Sequence, residues 1–104
     1  MLMLASYMFM ELAAGGDLFS YLELYGGLLE DHHSRVITRQ IALAIEFIHS
    51  KGIAHRDIKP ENILVAHKDI GHRVILTDFG LATTINMKTG RMLSKVGTAN
   101  YIAP

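Results

Sequence analysis

The sequence predicts an α+β fold, and three observations predict it. Val36, Ile37, Ile41, Ala44, Ile45 and Ile48 recur at three- and four-residue spacing, which draws one apolar stripe along a helix of about residues 31–50. Two short β-branched runs, Ile63-Leu64-Val65 and Val74-Ile75-Leu76, flank a polar stretch, residues 66–73, that contains Gly71, the pattern of a β-hairpin. Glycine pairs at Gly15-Gly16 and Gly26-Gly27 mark off a short element between them.

Taken in order, the elements begin with an uncharged run over residues 1–10. A secretory leader needs a basic start, which is missing, and Glu11 follows at once. About ten residues cannot span a bilayer. The run therefore reads as a buried strand with Tyr7, Met8 and Phe9 as its body, and Met1, Met3, Met8 and Met10 as its packing side chains. Ala13-Ala14-Gly15-Gly16 breaks it. Residues 17–24 form a short helix carrying Leu18, Phe19, Tyr21 and Leu22, ended by Gly26-Gly27. Glu30 and Asp31 suit the positive end of the long helix that follows, and Gly52 suits its close. His32-His33 are solvated residues of that helix start, because no H-x-x-x-H or H-E-x-x-H spacing sets two histidines on one face for a metal. From Asp78 onward, 27 residues show no period, too long for an ordinary loop; the tail is functional, disordered or both.

A length of 104 residues allows one domain. Lys+Arg and Asp+Glu each number 10, so no basic field favours nucleic acid or a membrane surface. With no cysteine, disulfides and thiolate zinc sites are excluded, which fits an intracellular protein, cytoplasmic or nuclear. Hydrophobic residues make up 50% and mean hydropathy is +0.25, apolar enough to suggest a core that expects further protein around it. Nothing in the sequence speaks to oligomeric state.

Three local patterns carry chemistry. In His55-Arg56-Asp57-Ile58-Lys59-Pro60-Glu61-Asn62, a carboxylate is followed by a cation two residues on and an amide oxygen five residues on, with Pro60 stiffening the turn. A carboxylate accepts a proton from an attacking hydroxyl, a lysine neutralises a transferring phosphoryl group, and an amide oxygen suits Mg²⁺. Asp78-Phe79-Gly80 presents a second carboxylate at a strand end. Gly97-Thr98-Ala99-Asn100-Tyr101-Ile102-Ala103-Pro104 is the third. Singly, D-F-G reads as a turn and H-R-D as a surface ion pair. All three in this order and spacing make chance a poor explanation.

Together they resemble the Ser/Thr protein kinases over nearly the whole chain. The resemblance implies a partial kinase fold: the hinge and the start of the helix after it at residues 10–19, the first half of the mainly helical C-lobe with a small β-hairpin, and an activation segment. It implies that Met10 is the gatekeeper, that the backbone of Glu11 and Ala13 meets adenine, that Asp17 lies near the ribose, and that Leu64 floors the adenine pocket. Glu61 belongs to the same nucleotide-side set. Asp57 is similar to the catalytic base, Lys59 to the phosphate-contacting lysine, and Asn62 and Asp78 to the Mg²⁺ ligands, with ATP as co-substrate and a protein Ser/Thr hydroxyl as acceptor. Phe79 joins an internal apolar spine held from below by His55. Lys59, Thr98 and Tyr101 look like the Ser/Thr rather than the tyrosine class. The runs Gly15-Gly16-Asp17-Leu18-Phe19 and Gly97 to Pro104 are most similar to the calcium/calmodulin-kinase-like group and its checkpoint-kinase branch.

Regulation is implied as well. Arg56 beside Asp57 is similar to the arginine that pairs with an activation-loop phosphate. Of the hydroxyls Thr83, Thr84, Thr89 and Ser94, Ser94 sits three residues before Gly97, where similar kinases carry the phosphosite. Thr98 is expected to contact Asp57 and Lys59. The family's Gly-rich loop, strand lysine and partner glutamate find no match in residues 1–9, and Pro104 stands one residue before the glutamate of A-P-E. Two expectations follow. Either the chain represents an active Ser/Thr kinase through this segment, with the 104 residues alone inactive, or it is a non-catalytic, kinase-derived binding piece.

Overall fold

The computed structural model describes residues 3–68, 73–92 and 96–104. Helix α1, Leu18–Leu24, is short and capped at both ends. Asp17 accepts from the Ser20 amide at 2.9 Å, and past the cap at Tyr25 the amide of Gly27 donates to the Leu22 carbonyl at 2.9 Å. Gly26 and Gly27 both have positive φ, so the chain leaves the helix through conformations that side chains resist.

Helix α2, Asp31–Ser50, supports the rest. Ile37 and Ile48 are buried and Ile41, Ala44 and Ile45 half-buried, so the stripe turns inward as its spacing predicts. Val36 departs from that expectation: it lies at the stripe's edge and is exposed. Gly52, at φ +72°, follows the helix cap at Lys51.

Among the described residues, four short strands complete the frame: β1, Ile53–Ala54; β2, Ile63–Val65; β3, Val74–Leu76; and β4, Thr83–Thr84. β2 and β3 pair antiparallel with Leu64 opposite Ile75, as a hairpin should. The expected turn glycine, Gly71, lies outside the described residues. β1 pairs with β4, which ties the segment after Asp78 back to the end of α2. No periodicity marks a two-residue strand, so the sequence does not announce this pairing. The core is a cluster of Leu18, Tyr21, Ile37, Ile63 and Val65, formed where α1 and α2 meet the hairpin.

The expected strand at residues 7–10 does not form. Residues 3–13 run without regular structure, and Tyr7, Met8, Phe9 and Met10 are exposed, as is Met3. Among the described residues no strand lies beside them, so their backbone finds no ladder and their side chains no second layer. Chain pairing begins only at Ala14, whose amide donates to the Ala66 carbonyl at 3.1 Å, and at Gly15, whose amide donates to the Val65 carbonyl at 2.9 Å. Among the described residues no helix is long and apolar enough to cross a membrane.

Candidate active site

The loop between β1 and β2 is built around a buried histidine. His55 is 2% exposed. The Asp57 amide donates to its Nδ1 at 3.1 Å, so Nε2 carries the hydrogen and donates to the Thr77 carbonyl at 2.7 Å. The same ring meets Phe79 edge-on with centroids 4.8 Å apart. One imidazole thereby clamps the loop that carries Asp57 to the segment that carries Asp78. A second clamp comes from Arg56, whose Nε donates to the Leu81 carbonyl at 2.6 Å, and a third from the Thr77 amide, which donates to the Asn62 carbonyl at 2.9 Å.

Arg56 and Asp78 hold φ of +70° and +59°, left-handed values that non-glycine residues resist. Such backbone costs about 1–3 kcal/mol per residue and persists only where surrounding contacts fix it. The Arg56–Leu81 bond and the Gly80 amide, which donates to Asp78 Oδ1 at 3.2 Å, do so here.

Around Asp57 the polar groups converge. Thr98 Oγ1 donates to Asp57 Oδ1 at 2.5 Å, and Lys59 Nζ donates to Thr98 Oγ1 at 2.7 Å. Lys59 Nζ stands 3.8 Å from Asp57 Oδ2. Asn62 Nδ2 donates to the same oxygen at 3.0 Å and to the Asp57 carbonyl at 2.9 Å. The Thr98 hydrogen bond, helped by the Lys59 charge and Asn62, holds the Asp57 carboxyl below its ordinary 3.8 against the opposing effect of burial. Sequence separations of 39 and 41 residues show that only folding brings Thr98 to this pair.

Asp57 and Thr98 line a pocket of about 390 Å³, and a separate cleft of about 810 Å³ is lined by Met8, Met10 and Glu11 and by Leu64, Ile75, Leu76 and residues 77–80. Its apolar walls suit a flat heterocycle, and its size lies in the ordinary range for small-ligand sites. Asp78 is exposed and offers hard oxygen at the cleft; Asn62 is buried and is not among the cleft's lining, and its amide nitrogen points to Asp57, which leaves its oxygen as a second hard donor. These donors fit a magnesium ion by chemistry.

The expected nucleotide residues divide. Glu11 and Leu64 line the cleft, whereas Ala13, Asp17 and Glu61 are not among its lining. Asp17 is engaged elsewhere. It caps α1, accepting from the Ser20 amide and, at 3.0 Å, from the Ser20 hydroxyl, and the amide bond holds its carboxyl below the usual range. Ala13 gives its carbonyl to the Gly16 amide at 3.3 Å. Glu61 stands exposed on the single-turn helix Pro60–Asn62. Ser94 lies outside the described residues.

Sequence reasoning missed two contributors. Thr77 was unmarked, although its place just before Asp78 could have flagged it. Arg73, which pairs with Glu11, carries no local signal at all. Away from the cleft, ligand atoms of Glu30, His32 and His33 lie within 4.8 Å of one another. Spacing between histidines alone could not reveal that cluster, since one member is a glutamate. Its Glu30 and His32 side chains are 77% and 67% exposed, and the positive end of α2 opposes a cation there, so it is described as a solvated cluster.

Comparison with known proteins shows the family of the chain. A family model described as "Protein kinase domain" matches residues 4–104. The chain is 40% identical over 98 residues to calcium/calmodulin-dependent protein kinase type 1 of Caenorhabditis briggsae, covering 94% of this chain and 27% of that protein. It is 46% identical over 98 residues to serine/threonine-protein kinase RAD53 of Saccharomyces cerevisiae, covering 94% and 12%. It is 42% identical over 101 residues to human serine/threonine-protein kinase H1, covering 94% and 23%. The chain thus spans about a quarter or less of the length of these relatives.

Proposed function

The chain belongs to the protein kinase domain family, and on that premise we propose that it carries the catalytic segment of a Ser/Thr protein kinase, which transfers the γ-phosphoryl group of ATP to a protein Ser or Thr hydroxyl. The observation that carries the reading is the convergence of Asp57, Lys59, Asn62 and Thr98 on a loop that His55 ties to the Thr77–Phe79 segment, part of the lining of a cleft that also holds Leu64 and Asp78.

In this reading Asp57 orients the acceptor hydroxyl and takes its proton as the oxygen–phosphorus bond forms and the bond to the β-phosphate oxygen breaks. Its carboxyl, held below the ordinary 3.8, is ionised at neutral pH. Lys59 spreads positive charge over the transferring group. Asn62 and Asp78 would hold Mg²⁺, which would supply neutralisation of phosphate charge. Leu64 floors the adenine site, and the backbone of Glu11 forms its edge. An intracellular setting, cytoplasmic or nuclear, goes with ATP as co-substrate.

Regulation by phosphate at Ser94 is part of the proposal. Met92 and Val96, which bracket Ser94 in sequence, line a 390 Å³ pocket together with Arg56. Ser94→Ala in the active full-length protein should lower activity, and unchanged activity with Ser94 unmodified would remove this part.

The central test is turnover of Mg-ATP and a Ser/Thr peptide by the full-length protein. Asp57→Asn and Asp78→Asn should each lower kcat roughly a hundredfold or more with the fold retained. Undiminished kcat in folded Asp57→Asn would sink the assignment.

A further inference from the structure

We propose that residues 85–91 form a clip, closed by Asn86 and seated on the end of α2, which anchors the first half of the segment after Asp78 without a phosphate and sets the Met92 wall of the pocket that holds Asp57. Asn86 is then a positioning residue for the acceptor side of the site. The functional arm of the proposal rests on the kinase reading of that site.

The clip is a turn that satisfies its own backbone. The Asn86 amide donates to the Arg91 carbonyl at 3.0 Å, and the Gly90 amide donates to the Asn86 carbonyl at 2.6 Å. The Asn86 side-chain oxygen accepts from the amides of Lys88 at 3.0 Å and Thr89 at 3.3 Å, the bonding of an Asx turn. Thr89 Oγ1 accepts from the Arg91 amide at 3.3 Å. Asn86 takes part in every one of these bonds but the last. Gly90 stands at φ +66°, where a side chain would be strained.

Two contacts seat the turn on the frame. The Ile85 amide donates to the Gly52 carbonyl at 2.8 Å, which carries the β1–β4 ladder one step past the pair of Ile53 and Thr84. Met87 reaches back to the same glycine: a Cβ built on Gly52 would stand 3.5 Å from its sulfur. All of the bonds join backbone, amide and hydroxyl groups, so neither a phosphate nor an ion pair is needed to close them, and salt should not open them. Directly after the clip, Met92 lines the pocket of Asp57 and Thr98. The segment is thus pinned twice, by the clip and by the Thr98 bond to Asp57, and the clip decides where the chain departs for Met92.

The test uses the full-length protein with Asn86→Ala, Asn86→Asp and Gly90→Val. Amide exchange at residues 85–91 of the dephosphorylated protein reads the clip without needing activity, and kinetics of the active form read its consequence. Those amides should be protected in dephosphorylated wild type, and about 0.5 M salt should leave the protection unchanged. Asn86→Ala and Gly90→Val should each speed exchange about three- to tenfold and raise KM for the peptide about two- to fivefold, with KM for ATP unchanged. Asn86→Asp keeps the side-chain acceptor and should recover most of both effects. Protection that appears only after phosphorylation, wild-type exchange in Asn86→Ala, faster exchange with an unchanged peptide KM, or no recovery in Asn86→Asp would each overturn the clip. A parent that turns over no peptide would sink the proposed function instead, and the exchange rates would still decide the clip.

Discussion

At the scale of single residues, the site depends on contacts that admit few substitutes. Gly15 shows this in the frame. A Cβ built there would stand 2.5 Å from the His67 carbonyl oxygen and 2.7 Å from that of Val65, both backbone atoms that cannot swing aside. Gly15→Ala in the full-length protein should cost about 1–3 kcal/mol of stability, seen in denaturant melts; an unchanged midpoint would show that the segment shifts freely. Asp57 shows it in the site. Folding lowers its pKa, so the ionised carboxylate stabilises the folded state above its ordinary 3.8, and that contribution fades as pH falls through the still lower folded value. Thr98→Val removes the largest cause of the lowering. The Asp57 pKa, followed by carboxyl-carbon NMR, should rise, and the stability gap between wild type and variant should be present at pH 6 and close below 3.8. A gap that persists in acid would place the effect of Thr98 elsewhere.

At the scale of elements, α2 is the scaffold against which the hairpin and α1 are set. Ile37 is 5% exposed and joins the core cluster, whereas its neighbour Val36 is 44% exposed. Ile37→Ala should destabilise by about 2–5 kcal/mol through lost burial and a residual cavity. Val36→Ala should stay within about 0.5 kcal/mol. Equal losses from the two in chemical denaturation would mean that the helix is rotated from the position described. The β1–β4 pairing makes a different contribution. It fixes Ile53 opposite Thr84 and so brings the segment after Asp78 back beside the loop of His55.

At the scale of the whole molecule, the described part is more open than its size requires. Its radius of gyration is 15.9 Å, against about 13 Å for a compact chain of about this length. Met3, Leu4, Tyr7, Met8, Phe9, Met10 and Leu12 are each at least 70% exposed. A polypeptide limited to these 104 residues should therefore bind a hydrophobic dye and self-associate. It should also show no turnover with Mg-ATP and a Ser/Thr peptide, because phosphoryl transfer needs several charges acting as a unit and these residues span about a quarter or less of the length of their kinase relatives. Robust turnover that Asp78→Ala abolishes would reverse this expectation.

What the sequence determined by itself was what short range decides. α1 and α2, the paired β2 and β3, and the order of the three motifs all depend on residues within a few positions of one another, where periodicity, caps and turn chemistry act. The family resemblance was legible for the same reason, since His55 to Asn62 and Asp78 to Gly80 are contiguous strings. Tertiary structure decided what depends on distant partners. It left residues 7–10 without a strand, because pairing needs a neighbour that no local pattern supplies. It spent the Asp17 carboxylate on a helix cap, carried Thr98 across 41 residues to Asp57, and set Arg73 against Glu11. Each of these joins groups whose separation along the chain says nothing of their separation in space, and there the physics of packing, not of sequence pattern, makes the choice.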